Sequence, residues 1–103
     1  LFFMVLKNIG INMSDWFMVS VWLENQEQEV HFEIANEDGE QYFFTARGDL
    51  VKEHVKIEGS NLIDRFYYAE EDFLALAVSL VDSECLEAEQ SYSVNSAQFK
   101  KYF

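Results

Sequence analysis

The sequence has no proline, only four glycines and a single cysteine. With so few chain breakers, no linker, internal repeat or low-complexity tract divides it. Its 103 residues read as one domain, 1–103. One cysteine cannot close an intramolecular disulfide. Cys85 reads as a small buried hydrophobe on a helix, which fits a reducing, cytoplasmic compartment. Positive charge is scarce too: seven Lys and Arg stand against nineteen Asp and Glu, a formal charge of −12. That balance argues against direct binding of a nucleic-acid backbone, which needs Lys and Arg, and against anionic membrane surfaces. A macromolecule recognised through charge should therefore be a basic protein.

No apolar run is long enough to span a bilayer. Leu1 to Leu6 is apolar but short, with no basic segment before it and no small-residue cleavage site after it, so it does not read as a signal peptide. Met13-Ser14-Asp15 reads as a natural start, with residues 1–12 an upstream extension; the alternative is an extra edge strand over Phe2 to Leu6.

Catalytic motifs are also missing. His31 and His54 are the only histidines, and both read as surface residues on the polar faces of strands. No spacing of the His-Glu-x-x-His or Cys-x-x-Cys kind gathers metal ligands, and no phosphate loop, dinucleotide fingerprint or nucleophile elbow appears. Ser79 and Ser83 have no evident base beside them. The expectation is a protein that is not an enzyme and uses no cofactor or metal.

What is present is apolar and aromatic. Half the residues are hydrophobic, and ten Phe, five Tyr and two Trp supply material for a core. The chain is organised around one stretch that reads as a long helix, 69–88. Phe73, Leu74, Ala77, Leu80 and Val81 recur at the spacing of one helical face, widened by Leu76 and Val78. Glu70, Glu71 and Asp72 occupy its first turn, where the helix dipole favours negative charge.

The rest reads as short strands. Asp15 to Leu23 alternates Phe17, Val19, Val21 and Leu23 against Trp16, Met18, Ser20 and Trp22; both faces are apolar, so the strand should be central or doubly covered. Gln28 to Ala35 points Val30, Phe32 and Ile34 inward and Glu29, His31 and Glu33 outward. A hairpin at Asn36-Glu37-Asp38-Gly39 leads into Glu40 to Arg47, with Tyr42, Phe44 and Ala46 opposed to Gln41, Phe43 and Thr45. Leu50 to Glu58 reads as a fourth strand with Val51, Val55 and Ile57 on one face. Leu62 to Tyr68 reads as a fifth short strand or an extended approach to the helix. Ser91 to Val94 fits a returning edge strand, and Asn95 fits the cap of a short helix through Phe103 that ends on Lys100 and Lys101. The expected architecture is α+β: a four- to five-stranded antiparallel meander with one long helix packed across a face.

Charge is segregated along the chain. No Lys or Arg lies between Lys7 and Arg47, an interval holding Glu24, Glu27, Glu29, Glu33, Glu37, Asp38 and Glu40. A second base-free interval, Phe66 to Phe99, holds Glu70, Glu71 and Asp72. Outward residues on a strand repeat about every 7 Å, a separation comparable to that of successive phosphates on a nucleic-acid strand. Carboxylates at that pitch can occupy a groove built for phosphates.

The reading that follows is a small acidic inhibitor that binds a basic nuclease or other nucleic-acid-handling protein as a nucleic-acid mimic, of the anti-defence kind carried by phages or mobile elements. Glu24 to Glu40 is the expected partner-binding surface, with Glu70, Glu71 and Asp72 as the second choice. The alternatives are an immunity or antitoxin protein that neutralises a nuclease toxin, and an acidic structural or assembly subunit that forms a homodimer through its aromatic strands.

Overall fold

A computed structural model of the chain describes residues 15–102. The readings of residues 1–12, of a start at Met13 and of Phe103 lie outside these residues. Three strands lead the described chain: β1 (Trp16–Glu24), β2 (Glu29–Asn36) and β3 (Gln41–Arg47). Three helices follow: α1 (Gly48–His54), α2 (Leu62–Tyr68) and α3 (Glu70–Ser83). The chain then returns as β4 (Ser91–Val94) and ends in α4 (Ser96–Tyr102). The strands form one sheet in the order β1-β2-β3-β4. β1–β2 and β2–β3 are antiparallel, as the alternation and the hairpin signal predict, but β3–β4 is parallel. The fold is α+β with a mixed sheet, not an all-antiparallel meander. A parallel neighbour requires a crossover, and the three intervening helices supply it.

β2 and β3 follow their sequence pattern closely. Val30, Phe32, Ile34, Tyr42, Phe44 and Ala46 are buried under the helices, while Glu29, His31, Glu33, Phe43 and Thr45 point the other way, half-exposed. Gly39 closes the hairpin with φ +83°, and the Asn36 side chain accepts from the Asp38 and Glu40 amides at 3.0 Å each. Burial raises the Tyr42 phenol above its ordinary pKa, with Glu40 and Tyr92 adding to the effect.

β1 departs from strict alternation. Met18 pairs with Ile34 but Ser20 pairs with Glu33, so Val19 is an extra residue in a β-bulge. One added residue reverses the parity of everything after it. Trp16 and Met18 face the core before the bulge, and Val21 and Leu23 face it afterwards. Trp16 and Trp22, expected on one face, therefore lie on opposite faces. Trp16 tilts against Tyr42, while Trp22 stacks on His31 on the outer face. The strand looks apolar on both sides because its inward set changes parity midway. Among the described strands it lies at the end of the sheet, with β2 as its neighbour.

The segment expected as a fourth strand begins as α1. Leu50, Val51, His54 and Val55 recur at helical intervals, and the apparent strand pair Val51 and Val55 is four apart, one helical turn. Leu62 to Tyr68 is likewise a helix. The Asn61 side chain caps it by accepting from the Asp64 amide at 2.9 Å, and Leu62 and Phe66 bury one turn apart. α3 keeps the expected apolar stripe but ends at Ser83 rather than 88, because Cys85 turns out of the helix with φ +50°. Ala75 to Leu80 are all buried, so α3 is covered on several sides by the sheet, α2 and α4. Cys85 is exposed, not a buried hydrophobe. α4 forms as expected, with a reciprocal cap: Gln98 N–H donates to Asn95 Oδ1 at 3.0 Å, and Asn95 N–H donates to Gln98 Oε1 at 2.7 Å.

The core is knotted by four phenylalanines from four elements. Phe32, Phe44, Phe66 and Phe73 are at most 1% exposed, and Phe66 stacks on Phe73 with centroids 4.5 Å apart. Phe32 reaches the other three at 5.1 to 6.0 Å. No helix among the described residues is long and apolar enough to cross a membrane.

Gly48 joins sheet to helix. Its amide donates to Gln28 O at 2.7 Å, and a Cβ here would stand 2.8 Å from that oxygen and 3.3 Å from Leu62 Cδ2. Alanine is otherwise the better helix former by about 1 kcal/mol. The backbone oxygen cannot swing aside as a side chain could, so Gly48→Ala should destabilise the fold by about 1–3 kcal/mol. A lowered midpoint in urea denaturation checks this.

A candidate protein-interaction surface on the open sheet face

The helices cover one face of the sheet. The other carries Phe17, Ser20, Trp22 and Glu24 from β1, then Glu29, His31 and Glu33 from β2, with Phe43, Thr45 and Arg47 beside them on β3. Phe17 is 50% exposed and the bulged Val19 45%. Aromatic and acidic side chains thus share one surface.

The carboxylates on and around this face are held in place by polar neighbours. Trp22 Nε1–H donates to Glu24 Oε2 at 2.9 Å. The Ser20 hydroxyl donates to Glu33 Oε1 at 3.4 Å, and the Asn36 amide donates to Glu40 Oε1 at 2.8 Å. His31 Nε2 lies 3.2 Å from Glu29 Oε1, and its Nδ1 lies 3.2 Å from Thr45 Oγ1. A carboxylate oxygen accepts from an imidazole N–H, so the contact assigns a proton to Nε2 and leaves Nδ1 to the threonine hydroxyl. Three of the four donors, indole, hydroxyl and amide, carry no charge. These three orient Glu24, Glu33 and Glu40 without cancelling their charge.

The chain from Thr45 through His31 to Glu29 has the order of a hydroxyl, imidazole and carboxylate relay. It lies on an open strand surface, where the amides of β2 and β3 are engaged in the sheet ladder.

The other predicted acids fall in three places. Glu24 and Glu27 sit at the β1–β2 end and Glu37, Asp38 and Glu40 at the β2–β3 end, so Glu24 to Glu40 frame a single face. Glu24 and Glu29 are cross-strand partners, two like charges directly opposite each other. The turn between them is strained: Asn25, Gln26 and Glu27 have φ of +54°, +57° and +64°. Glu70 and Glu71 begin α3, away from this face.

Asp72 does not join a surface. It is 4% exposed, and its Oδ2 lies 2.8 Å from His54 Nε2. His54 is half-buried on α1 between Phe99 and Phe73, not exposed on a strand. The pair ties α1 to the start of α3.

A cleft of about 470 Å³ opens beside the β1–β2 turn, where Glu27, Glu29 and Asp49 meet Arg47 and Lys52. Arg47 lies 3.5 Å from Asp49 and is the cross-strand partner of Glu29, so it marks the end of the acidic surface. Among the described residues no three His, Cys, Asp or Glu side chains converge to hold a metal ion.

Sequence reasoning placed Trp22 with Trp16 on one face, as core or as paired interface anchors, and did not set it beside the acids. The only hint was Ser20, a polar residue in a run otherwise apolar on both faces. The chain matches no protein-family model, no curated protein and no solved structure.

Proposed function

We propose that this protein is a non-catalytic acidic inhibitor that docks its open sheet face on a basic, nucleic-acid-handling protein and blocks the groove where nucleic acid would lie. Anti-defence proteins of phages and mobile elements act on targets of this class. The observation that carries the reading is the set of carboxylates Glu24, Glu29, Glu33 and Glu40, each oriented by a hydrogen-bond donor. Pre-oriented charge needs little reordering when a cationic groove arrives, which favours complementary docking. Exposed Phe17 and half-buried Trp22 and Phe43 add apolar contact area among the acids.

A tagged pull-down from bacterial lysate, washed at rising salt and then with duplex DNA, tests this. The expected result is a basic nuclease or nucleic-acid-binding protein released by both washes, because exposed charge pairs are screened beyond about 8 Å at physiological ionic strength. A target that stays bound at high salt and ignores DNA sinks the mimic reading. A single cognate toxin among the bound proteins would turn it into an immunity protein.

The exposed Phe17 and Val19 on β1, the end strand among those described, favour a second reading, a self-associating assembly subunit. Light scattering would then show dimers that persist at high salt, since apolar burial is barely screened.

A further inference from the structure

Trp22 is more than a surface aromatic, because of where its two faces point. Its ring stacks on His31 with centroids 5.7 Å apart and planes 29° from parallel. His31 belongs to β2, the inner neighbour of β1. One indole face is therefore covered from the sheet side. The other looks past the edge of the sheet, where no described strand lies.

The ring is held in this attitude from both sides. Its Nε1–H donates to Glu24, and the His31 beneath it is tied to Glu29 and Thr45. An aromatic face and a carboxylate are thus pre-oriented side by side, with the Glu29 carboxylate in the opposite register position. The indole bond takes one oxygen of Glu24, and an ionised carboxylate offers about four lone-pair sites.

We infer that this edge is an arginine subsite: a guanidinium of the basic partner stacks on the outer face of Trp22 and pairs with the Glu24 carboxylate. This rests on the proposed docking function and narrows it, from a partner that is positively charged to one that presents an arginine at the β1 edge. Tryptophan is the strongest cation–π ring, and the flat guanidinium can lie on it while its fork of donors reaches a carboxylate. A lysine ammonium is a compact, strongly hydrated charge and cannot do both.

The sequence has two tryptophans, so Trp16→Phe leaves Trp22 as the sole indole reporter. This variant is titrated with hexa-arginine and, separately, hexa-lysine at low salt, following indole emission; calorimetry on the unaltered chain provides the same comparison without a substitution. Hexa-arginine should bind about two- to fivefold tighter than hexa-lysine, the worth of an exposed cation–π contact, and should change the Trp22 emission. Trp22→Leu should bring the two affinities together. Glu24→Gln, whose carbonyl can still accept the indole N–H, should weaken hexa-arginine more than hexa-lysine.

Equal or reversed affinities with unchanged emission overturn the arginine subsite and leave the basic-partner reading standing. So does an arginine preference that survives Trp22→Leu. Failure of both peptides to bind overturns the basic-partner reading itself.

Discussion

Phe66→Ala should lower the unfolding free energy by about 3–5 kcal/mol. Domains of this size are stable by about 5–15 kcal/mol, so the loss is a large share of the whole. Phe66 is fully buried, with rings at 4.5 Å (Phe73) and 5.1 Å (Phe32). It joins α2 to β2 and α3. Truncation leaves a void walled by other rings, which are too rigid to collapse into it fully. With a urea slope of about 1–3 kcal/mol per molar, the midpoint should fall by about 2 M at an unchanged slope. A fall of only a few tenths of a molar would mean that α2 is not seated on the aromatic core.

The largest functional effect should come from reversing the acids of the open face. Glu29→Lys, Glu33→Lys and Glu37→Lys together should abolish capture of the salt-releasable target while leaving the far-UV spectrum unchanged. The formal charge moves from −12 to −6, because each reversal adds two. The variant is still acidic, so lost binding would be a local effect. Asp82→Lys, Glu84→Lys and Glu87→Lys form the control, since these residues are exposed at the end of α3 or just after it and produce the same change in charge. The control should retain the target. Equal loss in both variants would mean that only net charge matters, and retention in both would remove the sheet face from the proposal. Glu29→Lys also faces Arg47 across the strand pair and removes the acceptor of His31, a cost of about 0.5–1 kcal/mol that the fold should tolerate.

Much of this surface was legible in the chain. Along β2, every second residue is apolar, so Glu29, His31 and Glu33 had to share the solvent side once Val30, Phe32 and Ile34 were buried. Asp38-Gly39 marked the hairpin, and Asn95 marked the start of α4. Trp22 was not legible as part of the face. The bulge at Val19 inserts one residue with no composition of its own, and parity arguments carried through it assign every later side chain to the wrong side. Asp72 was equally opaque. Its position in a first helical turn suggests a solvated acid beside the dipole, and only the approach of α1 supplies His54 as its partner.

Local pattern determined what needs only neighbours in the chain: the alternation of β2 and β3, the turn at Gly39, the apolar stripe of α3, the cap of α4 and the segregation of charge. Tertiary structure decided the remainder. Leu50 to His54 and Leu62 to Tyr68 are too short for periodicity to separate helix from strand, so packing against Phe32 and Phe73 selects the helix. β4 lies parallel to β3 because three helices separate them, a distance that no four-residue strand encodes. The bulge in β1 arises from pairing with β2, and it turns Trp22 outward beside Glu24. Contacts between residues far apart in sequence carry these choices, so the chain has to fold before they exist.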